Sequence, residues 1–316
     1  VYDASWQIGF EDGAWVVRNG DEVVVLDGVD RIQVGNAVYL LVGNGGYETI
    51  QEAVAAAEHG NTVMIAPGEY AGPITLDRFV HLQGMIEGEV IVSGSDMTGS
   101  GLAITAAASG AENGPLQIAN LVLTHFNYGL NLSNVSHLAL AGVTARGNKV
   151  GVKIGSGASA SHLNIERSHF DDNVTHGWYS DKDKSGNSNI TDLVVKDTTF
   201  NGNGIKGFYT EKLSRAAFDG VTVEGSGVDP GYQYNAGFDI NLKYGDYEDI
   251  QITNSTFTGS GIDGTGPGKG LVVMARGYEG DSSTYTASPA TLEGLVIRDV
   301  TIEDGGSVGL LVTNVA

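Results

Sequence analysis

The sequence predicts an all-β solenoid, in which short strands stack on one another in successive turns of the chain. Two observations favour this fold class. A phrase of a glycine, a large apolar residue and a short alternating strand recurs, and the composition, with 47 glycines among 316 residues and 8% aromatics, suits short strands and tight turns. The phrase begins at Gly129, Gly151, Gly177, Gly207, Gly237 and Gly270, with a shortened copy at Gly309. Repeats of about 20–50 residues with elastic spacing are typical of solenoids whose loops absorb insertions.

Residues 1–42 differ from the repeats and predict a small antiparallel β segment. Turn sequences such as Glu-Asp-Gly and Asn-Gly-Asp separate its strand-like runs and favour hairpins. The runs are Trp6–Phe10, Ala14–Val17, Glu22–Leu26 and Ala37–Leu41. The segment resembles the strand-rich segments found beside repeats-in-toxin modules in very large secreted bacterial proteins.

A short helix is expected at about residues 49–59, at the start of a second region, 43–316. Thr49 and Glu52 have the spacing of a capping box, and Ile50, Ala53 and Val54 form one apolar face. Gly60 is placed to end the helix. Because the end of a solenoid exposes its core and an unpaired strand edge, we expect the helix to cap the stack.

The stretch TIQEAV…GNTVMIAPGEYAGPITLDRFVHLQG resembles the entry into a right-handed parallel β-helix of the pectate-lyase-like superfamily. The resemblance covers residues 48–316. It implies a right-handed parallel β-helix and, from alginate lyases and mannuronan C5-epimerases of that superfamily, a secreted or cell-surface bacterial protein that acts on uronate polymers. The run GWY at Gly177 followed by AGFDINLK resembles the catalytic stretch of the epimerases. Asp239 matches their aspartate, whereas Ala236 and Asn241 stand where they have tyrosine and histidine.

Small polar residues precede most of the glycine phrases at equivalent positions. They are Asn148, Asn173, Asn203, Ser226 and Ser260. Asparagines stacked at successive turns form hydrogen-bonded ladders in cross-β structures. These residues are therefore predicted to be structural.

Strand alternation predicts which side chains face outward. If the large residue after each glycine points inward, the next one points outward, and so does the residue two further on. The first outward column is Lys153, Tyr179, Tyr209, Asp239 and Val272, and the second is Asp181, Glu211, Asn241 and Met274. Lys243 and Arg276 extend this face, Lys182 and Lys212 lie at strand ends, and His176 and Trp178 lie beside it, with His176 expected to be exposed to solvent. Insertions at 180–189, 229–235 and 261–269 are expected to wall a binding groove.

This patch predicts an extended anionic polysaccharide as ligand, since seven lysines cluster there on a protein of net charge −21. Abstraction of the C5 proton of a uronate needs a neutralised carboxylate, a base and an acid. Lys153, Tyr179, Tyr209 and Asp239 are the candidate catalytic residues for a lyase or epimerase. The candidate substrate-binding residues are Asp181, Lys182, Glu211, Lys212, Asn241, Lys243, Arg276, Trp178 and His176.

Other interpretations remain open. The patch is also consistent with ordinary solvated ion pairs and with a non-catalytic carbohydrate-binding, adhesin or spacer module. A glycoside hydrolase using Asp181, Glu211 and Asp239 is a third alternative, ranked below the lyase. No cofactor is required, although the acidic runs at Asp171 and Asp181 would suit Ca²⁺. The strongly acidic composition argues against nucleic acid and anionic membranes as partners, and no apolar run approaches the length of a membrane span. We expect a monomeric module.

Overall fold

The computed structural model describes residues 2–111, 114–184, 186–261 and 268–316. Strands dominate it, and most of them lie in long parallel sheets. The predicted insertion at 261–269 falls largely outside the described residues. The predicted insertion at 180–189 begins at the end of the strand His176–Ser180. The one at 229–235 directly precedes the strand Ala236–Leu242.

One long sheet has eleven strands. From one edge to the other its order is β28-β25-β22-β20-β18-β15-β12-β9-β6-β5-β4, and every pair except β4 with β5 is parallel. The strands are β4 (Arg31–Val34), β5 (Ala37–Val42), β6 (Thr62–Ile65), β9 (His81–Gly84), β12 (Leu116–Ala119), β15 (Val135–Ala141), β18 (Ala160–Glu166), β20 (Ile190–Lys196), β22 (Ser214–Asp219), β25 (Gly245–Thr253) and β28 (Ala290–Arg298).

A second long sheet has nine parallel strands, in the order β30-β27-β24-β21-β19-β17-β14-β11-β8. The strands are β8 (Ile74–Leu76), β11 (Ser100–Thr105), β14 (Tyr128–Ser133), β17 (Val150–Ile154), β19 (His176–Ser180), β21 (Lys206–Thr210), β24 (Ala236–Leu242), β27 (Lys269–Ala275) and β30 (Val308–Thr313). Each begins at or just before the recurring glycine phrase from β14 onward, so the repeat in the sequence marks this sheet.

A third face of short parallel strands completes each turn. It contains β7 (Gly68–Ala71), β10 (Val90–Ser93), β13 (Val122–Thr124), β16 (Thr144–Ala145), β23 (Thr222–Glu224), β26 (Thr256–Thr258) and β29 (Thr301–Glu303). Single bridges through His169 and Thr199 join β16 to β23. From β6 onward the chain visits the eleven-stranded sheet, the third face and the nine-stranded sheet in that order, and then repeats; we call each such turn a coil.

The core lies between these three faces. The large residue after each glycine points into it, as expected: Val152, Trp178, Phe208, Phe238 and Leu271 are fully buried. Trp178 stacks on Phe208 and Phe208 stacks on Phe238, with ring centroids 5.5 and 4.5 Å apart. Stacked aromatic rings at equivalent positions fix the register of neighbouring coils, and with it the alignment of the side chains on the outer face.

The polar ladder is present inside the same turns. The side-chain oxygen of Asn173 accepts from the backbone N–H of Asn148 at 3.1 Å, and that of Asn203 accepts from Asn173 at 3.0 Å. Ser226 and Ser260 continue the series toward the C-terminus. Because all five side chains are buried, the ladder satisfies turn backbone groups that water cannot reach. The structural interpretation of these residues is confirmed.

The N-terminal part has a three-stranded antiparallel sheet of β1 (Gln7–Glu11), β2 (Ala14–Asn19) and β3 (Glu22–Leu26). The fourth run predicted there is β5, and it pairs in parallel with β6 as part of the eleven-stranded sheet. Residues 1–42 are thus continuous with the stack through β5, and a separate domain ending at residue 42 remains a prediction.

Helix α1 (Ile50–Ala56) is shorter than expected, because the chain turns extended at Ala57, before Gly60. Its N-terminus has the predicted capping box between Thr49 and Glu52. Ile50, Ala53 and Val54 join the main core. A capping role for α1 stays a prediction. The other helical turns among the described residues are a 3₁₀ turn at Ala106–Ala108 and α2 (Ser283–Thr286). Within the described residues, no helix combines the length and apolar character needed to cross a membrane.

Candidate functional site on the nine-stranded sheet

The predicted outward column exists as a continuous row on the nine-stranded sheet. Lys153 pairs in register with Tyr179, Tyr179 with Tyr209, and Tyr209 with Asp239. Asp239 pairs in turn with Val272. The rings of Tyr179 and Tyr209 are stacked with centroids 5.5 Å apart. The sequence pattern therefore placed these side chains on one face correctly; their catalytic role is a separate question.

Five side chains on β21, β24 and the residues directly after them form what we call the central cluster: Lys206, Tyr209, Glu211, Asp239 and Lys243. Two ion pairs cross between the strands in opposite directions. Lys206 of β21 donates to Asp239 of β24, and Lys243 after β24 donates to Glu211 after β21. All four side chains are largely buried. Lysine and carboxylate thus alternate around Tyr209.

Tyr209 lies at the middle of this cluster. Its hydroxyl donates to Glu211 Oε1 at 2.5 Å, and the Lys206 ammonium lies 4.0 Å from the centre of its ring. Burial, together with the charges of Glu211 and Asp239, raises the pKa of Tyr209 well above its ordinary value of 10. The phenol is therefore a proton donor at neutral pH and a poor base.

Lys206 was not among the predicted site residues. Strict alternation would turn it inward, because Phe208 two residues later is buried. In the structure Lys206 pairs with Ala236, and the next registered pair is Phe208 with Phe238. The intervening Gly207 makes no registered pair of its own, and Lys206 and Tyr209 share the outer face. A glycine within a strand is a known sign of such a local irregularity.

Aromatic walls rise on both sides of the central cluster. Tyr232 and Tyr234 precede β24, and Tyr278 and Tyr285 follow β27. Tyr285 packs over Arg276, whose guanidinium lies 4.0 Å from the ring centre and pairs with Asp281. Together with four members of the central cluster (Lys206, Tyr209, Asp239 and Lys243), these walls enclose a cavity of about 510 Å³, lined also by Asn241, Lys269, Val272 and Met274.

Two oxygen atoms of this cavity's lining are buried acceptors without a hydrogen-bond partner among the described residues. They are Asp239 Oδ1 and Asn241 Oδ1. Leaving a buried acceptor unsatisfied costs about 1–3 kcal/mol. Asp239 is 5% exposed, so bulk water does not compensate readily. Hydroxyl groups of a ligand would supply the missing donors.

Tyr179, Lys153 and Asp181 form a second polar group, adjacent to the central cluster on β17 and β19. The Lys153 ammonium lies 2.5 Å from Asp181 Oδ1 and 3.9 Å from the centre of the Tyr179 ring. Burial raises the pKa of Tyr179 to about 12, with a further contribution from Asp181. Tyr179 is thus also protonated at neutral pH. Lys182, which follows Asp181 in the chain, is half-buried, and its ammonium donates to the carbonyl of Ser188.

Three of the predicted substrate-binding residues are buried. Trp178 lies in the core, where the glycine phrase places it, and cannot contact a ligand on the outer face. Lys212 is also fully buried: its ammonium bonds the carbonyl oxygens of Gly155, Ser156 and Ala158 and the hydroxyl of Ser188. Burial lowers its pKa to about 8. Lys212 therefore joins two loops beside the groove, and its ammonium is engaged within the protein rather than on the outer face.

His176 is buried rather than exposed, contrary to expectation. It is 9% exposed, and its ring packs edge-on against Tyr179 at 4.8 Å. Burial, and then the charges of Lys206 and Lys153, lower its pKa to about 3. His176 is consequently a neutral imidazole at neutral pH. His176 pairs in register with Lys206, and the stacked rings of Tyr179 and Tyr209 pack against it.

The acidic runs considered for calcium are engaged within the protein. The side-chain oxygen of Asn173 belongs to the ladder, and Asp171 accepts from Thr199 and from the backbone N–H of Asn201. Asp181 pairs with Lys153. In the described part of the chain no group of three or more acidic, histidine or cysteine side chains is arranged to hold a metal. Calcium binding stays a prediction.

Two other hollows lack these features. One of about 720 Å³ lies on the outer face of the eleven-stranded sheet, where Asp192 and Arg215 are part-exposed and pair with each other. Another of about 460 Å³ lies beside β1 and is lined mainly by uncharged side chains. Neither of these two hollows gathers buried, charged groups and unpartnered acceptors as the cavity on the nine-stranded sheet does.

Comparison with known proteins gives similarity to solved structures alone. No family model and no curated protein sequence matches this chain. Among solved structures, an alginate lyase from a Paenibacillus species has a TM-score of 0.49 and 14% identity, covering 86% of this chain and 98% of the other. A pectate lyase, Pel9A, has a TM-score of 0.47 and 14% identity over 85% of this chain and 78% of the other. The A-module of an Azotobacter vinelandii mannuronan C-5 epimerase has a TM-score of 0.43 and 14% identity, covering 84% of this chain and 94% of the other.

Proposed function

We propose that the protein binds an extended anionic polysaccharide along the outer face of the nine-stranded sheet and modifies it by abstracting the C5 proton of a uronate. The proposal includes a right-handed parallel β-helix, with α1 over its N-terminal end, as the scaffold, and a secreted or cell-surface location. It is supported chiefly by one observation: two unpartnered buried acceptors, Asp239 Oδ1 and Asn241 Oδ1, share a cavity with four cationic side chains.

The chemistry of the cavity suits a sugar acid. Lys206, Lys243 and Lys269 supply positive charge for a carboxylate, and Arg276 adds to it at the edge. Asn241 Oδ1 can accept a hydrogen bond from a sugar hydroxyl, and the tyrosine walls offer faces for the apolar side of a pyranose ring. A polyuronate offers all three features: carboxylates, hydroxyl groups and the apolar faces of pyranose rings.

The central cluster can supply an acid and a base. Asp239 is the base in this proposal, because one of its oxygens is free to accept a proton. Tyr209 is the acid, because its raised pKa keeps the phenol protonated. When the C5 proton moves to Asp239, the electron pair forms the C4–C5 double bond, the bond from C4 to the glycosidic oxygen breaks, and that oxygen takes the proton of Tyr209. In an epimerase Tyr209 would return its proton to the other face of C5 instead. Lys153 and Tyr179 would then bind neighbouring sugars.

A hydrolase is less well supported. Hydrolysis needs one carboxylic acid that donates a proton to the leaving oxygen. Asp181, Glu211 and Asp239 are each paired with a lysine, an arrangement that stabilises the carboxylate form. A non-catalytic binding module remains the second candidate, because the same ion pairs also give the patch a purely structural explanation.

The test is incubation with alginate, pectate and related polyuronates. Ultraviolet absorbance reports new double bonds from a lyase, and proton NMR reports inversion at C5. We expect product with the wild-type protein and loss of at least about a hundredfold in rate for Tyr209→Phe and Asp239→Asn. Tyr70→Phe and Asp192→Asn are matched controls away from the cavity. Binding without product would leave the non-catalytic module, and absence of binding to every polyuronate would refute the proposal.

A further inference from the structure

Charged side chains form a continuous strip across five consecutive strands of the nine-stranded sheet. The next charges on this sheet, Asp77 and Arg78, follow β8 and are separated from the strip by the uncharged strands β14 and β11. Counting each strand with the residue or residues directly after it, and leaving out the buried Lys212, the charges are Lys153 on β17, Asp181 and Lys182 on β19, Lys206 and Glu211 on β21, Asp239 and Lys243 on β24, and Lys269 and Arg276 on β27. The flanking strands, β14 and β30, carry no charged residue, and an asparagine follows each of them. The charged strip therefore begins and ends within the sheet.

The walls of the cavity give the direction of a bound chain. Tyr232 and Tyr234 stand at the N-terminal ends of the strands, and Tyr278 and Tyr285 stand at their C-terminal ends. An elongated ligand held between these walls runs across the strands, from one coil to the next. The stack of Tyr179 on Tyr209 has the same direction.

The length of the strip sets the length of ligand that it can recognise. Neighbouring strands lie about 4.8 Å apart, so the four steps from β17 to β27 span about 19 Å. A pyranose residue in an extended polysaccharide advances the chain by roughly the height of one coil. We propose that the site recognises a segment of about five sugars of an acidic polysaccharide, one sugar for each charged coil. This inference rests on the proposed function.

The central cluster is not in the middle of that strip. Two charged coils, β17 and β19, lie on one side of β21 and β24, and a single one, β27, lies on the other. Lys153 is thus at the far end of the longer arm and reaches only ligands long enough to extend two coils beyond the central cluster. It distinguishes long from short ligands.

The experiment is calorimetric titration of the full chain with oligomannuronates and oligogalacturonates, from dimer to octamer. We expect affinity to rise by about tenfold between trimer and pentamer in the series that binds, and to level off beyond it. In Lys153→Met this trimer-to-pentamer gain should shrink several-fold, whereas Lys196→Met, a lysine on the other long sheet, should keep it. Circular dichroism confirms that both variants are folded.

The outcomes separate the two proposals. Affinity that is complete at the dimer, or that keeps rising to the octamer, contradicts the five-sugar site while leaving polyuronate binding intact. A gain that Lys153→Met leaves untouched also contradicts it. Failure of every oligomer and every parent polymer to bind refutes the proposed function, and the footprint with it.

Discussion

Removal of one member of the Lys206–Asp239 pair should destabilise the fold strongly, whereas removal of both should not. The two side chains are 5% and 7% exposed, so either one left alone is a buried charge that has lost its ion-pair partner. Breaking a buried ion pair from one side costs about 3–5 kcal/mol, while replacing the whole pair with apolar residues of similar size is often neutral or stabilising. We therefore expect Lys206→Met and Asp239→Leu each to lower the free energy of unfolding by about 3–5 kcal/mol, and the double variant to lie within about 1 kcal/mol of wild type.

Urea unfolding of the four proteins measures this coupling as a double-mutant cycle. The exposed pair of Arg18 and Glu11 is the matched control, and its cycle should give a far smaller coupling because solvent screens exposed charges. Additive effects of Lys206→Met and Asp239→Leu would show that the two groups do not depend on each other, and the description of the central cluster would then be wrong.

Three further predictions concern the ladder, His176 and Lys212. Asn203→Ala removes the side-chain partner of the Asn173 backbone N–H and of the Phe170 carbonyl, and it should lower the free energy of unfolding by about 2–5 kcal/mol in urea titrations. Asn164 is exposed, so the control variant Asn164→Ala should cost less than about 0.5 kcal/mol. The pKa of His176 is lowered from 6.5 to about 3, so between these pH values the unfolded chain binds a proton that the folded chain does not, and stability is lost as the pH falls. His176→Gln should therefore reduce the slope of unfolding free energy against pH in this range by up to about 1.4 kcal/mol per pH unit. Lys212→Met should raise amide hydrogen exchange at residues 156–160 because four oxygen atoms lose their donor, whereas Lys196→Met should not.

Each of these has a contrary outcome. Equal stability of Asn203→Ala and Asn164→Ala would remove the ladder as a source of stability. Parallel acid limbs in wild type and His176→Gln would mean that the histidine titrates as it does in water. Unchanged exchange in Lys212→Met would show that the buried ammonium does not hold the loops.

Much of the fold could be predicted because the repeat marks a fixed position in each coil. Once the residue after each glycine is taken as inward, the register of the nine-stranded sheet follows, and Lys153, Tyr179, Tyr209 and Asp239 fall in one row. The capping box at Thr49 and the asparagine ladder follow from equally local rules. These features depend on backbone hydrogen bonding and on strand alternation, which short stretches of sequence determine.

The errors at the site arise where local rules end. Lys206 was missed because Gly207 interrupts alternation, and the sequence does not say on which face the residue before such a glycine lies. Lys212 was assigned to the groove because it lies near a strand end, yet its four oxygen partners come from loops 24 to 57 residues away. His176 was expected in solvent because it stands beside a turn, although the tyrosines of its own and the next strand cover it.

The central claim is that the charged cavity on the nine-stranded sheet binds a uronate polymer. Its most direct test is polyuronate binding by the wild-type protein compared with the Lys206→Met, Asp239→Leu double variant, which should fold but lack one of the two ion pairs of the central cluster. The account predicts measurable binding by wild type and a loss of at least about tenfold in the double variant at unchanged stability. Equal binding by the two proteins, or no binding of any polyuronate by wild type, would contradict it.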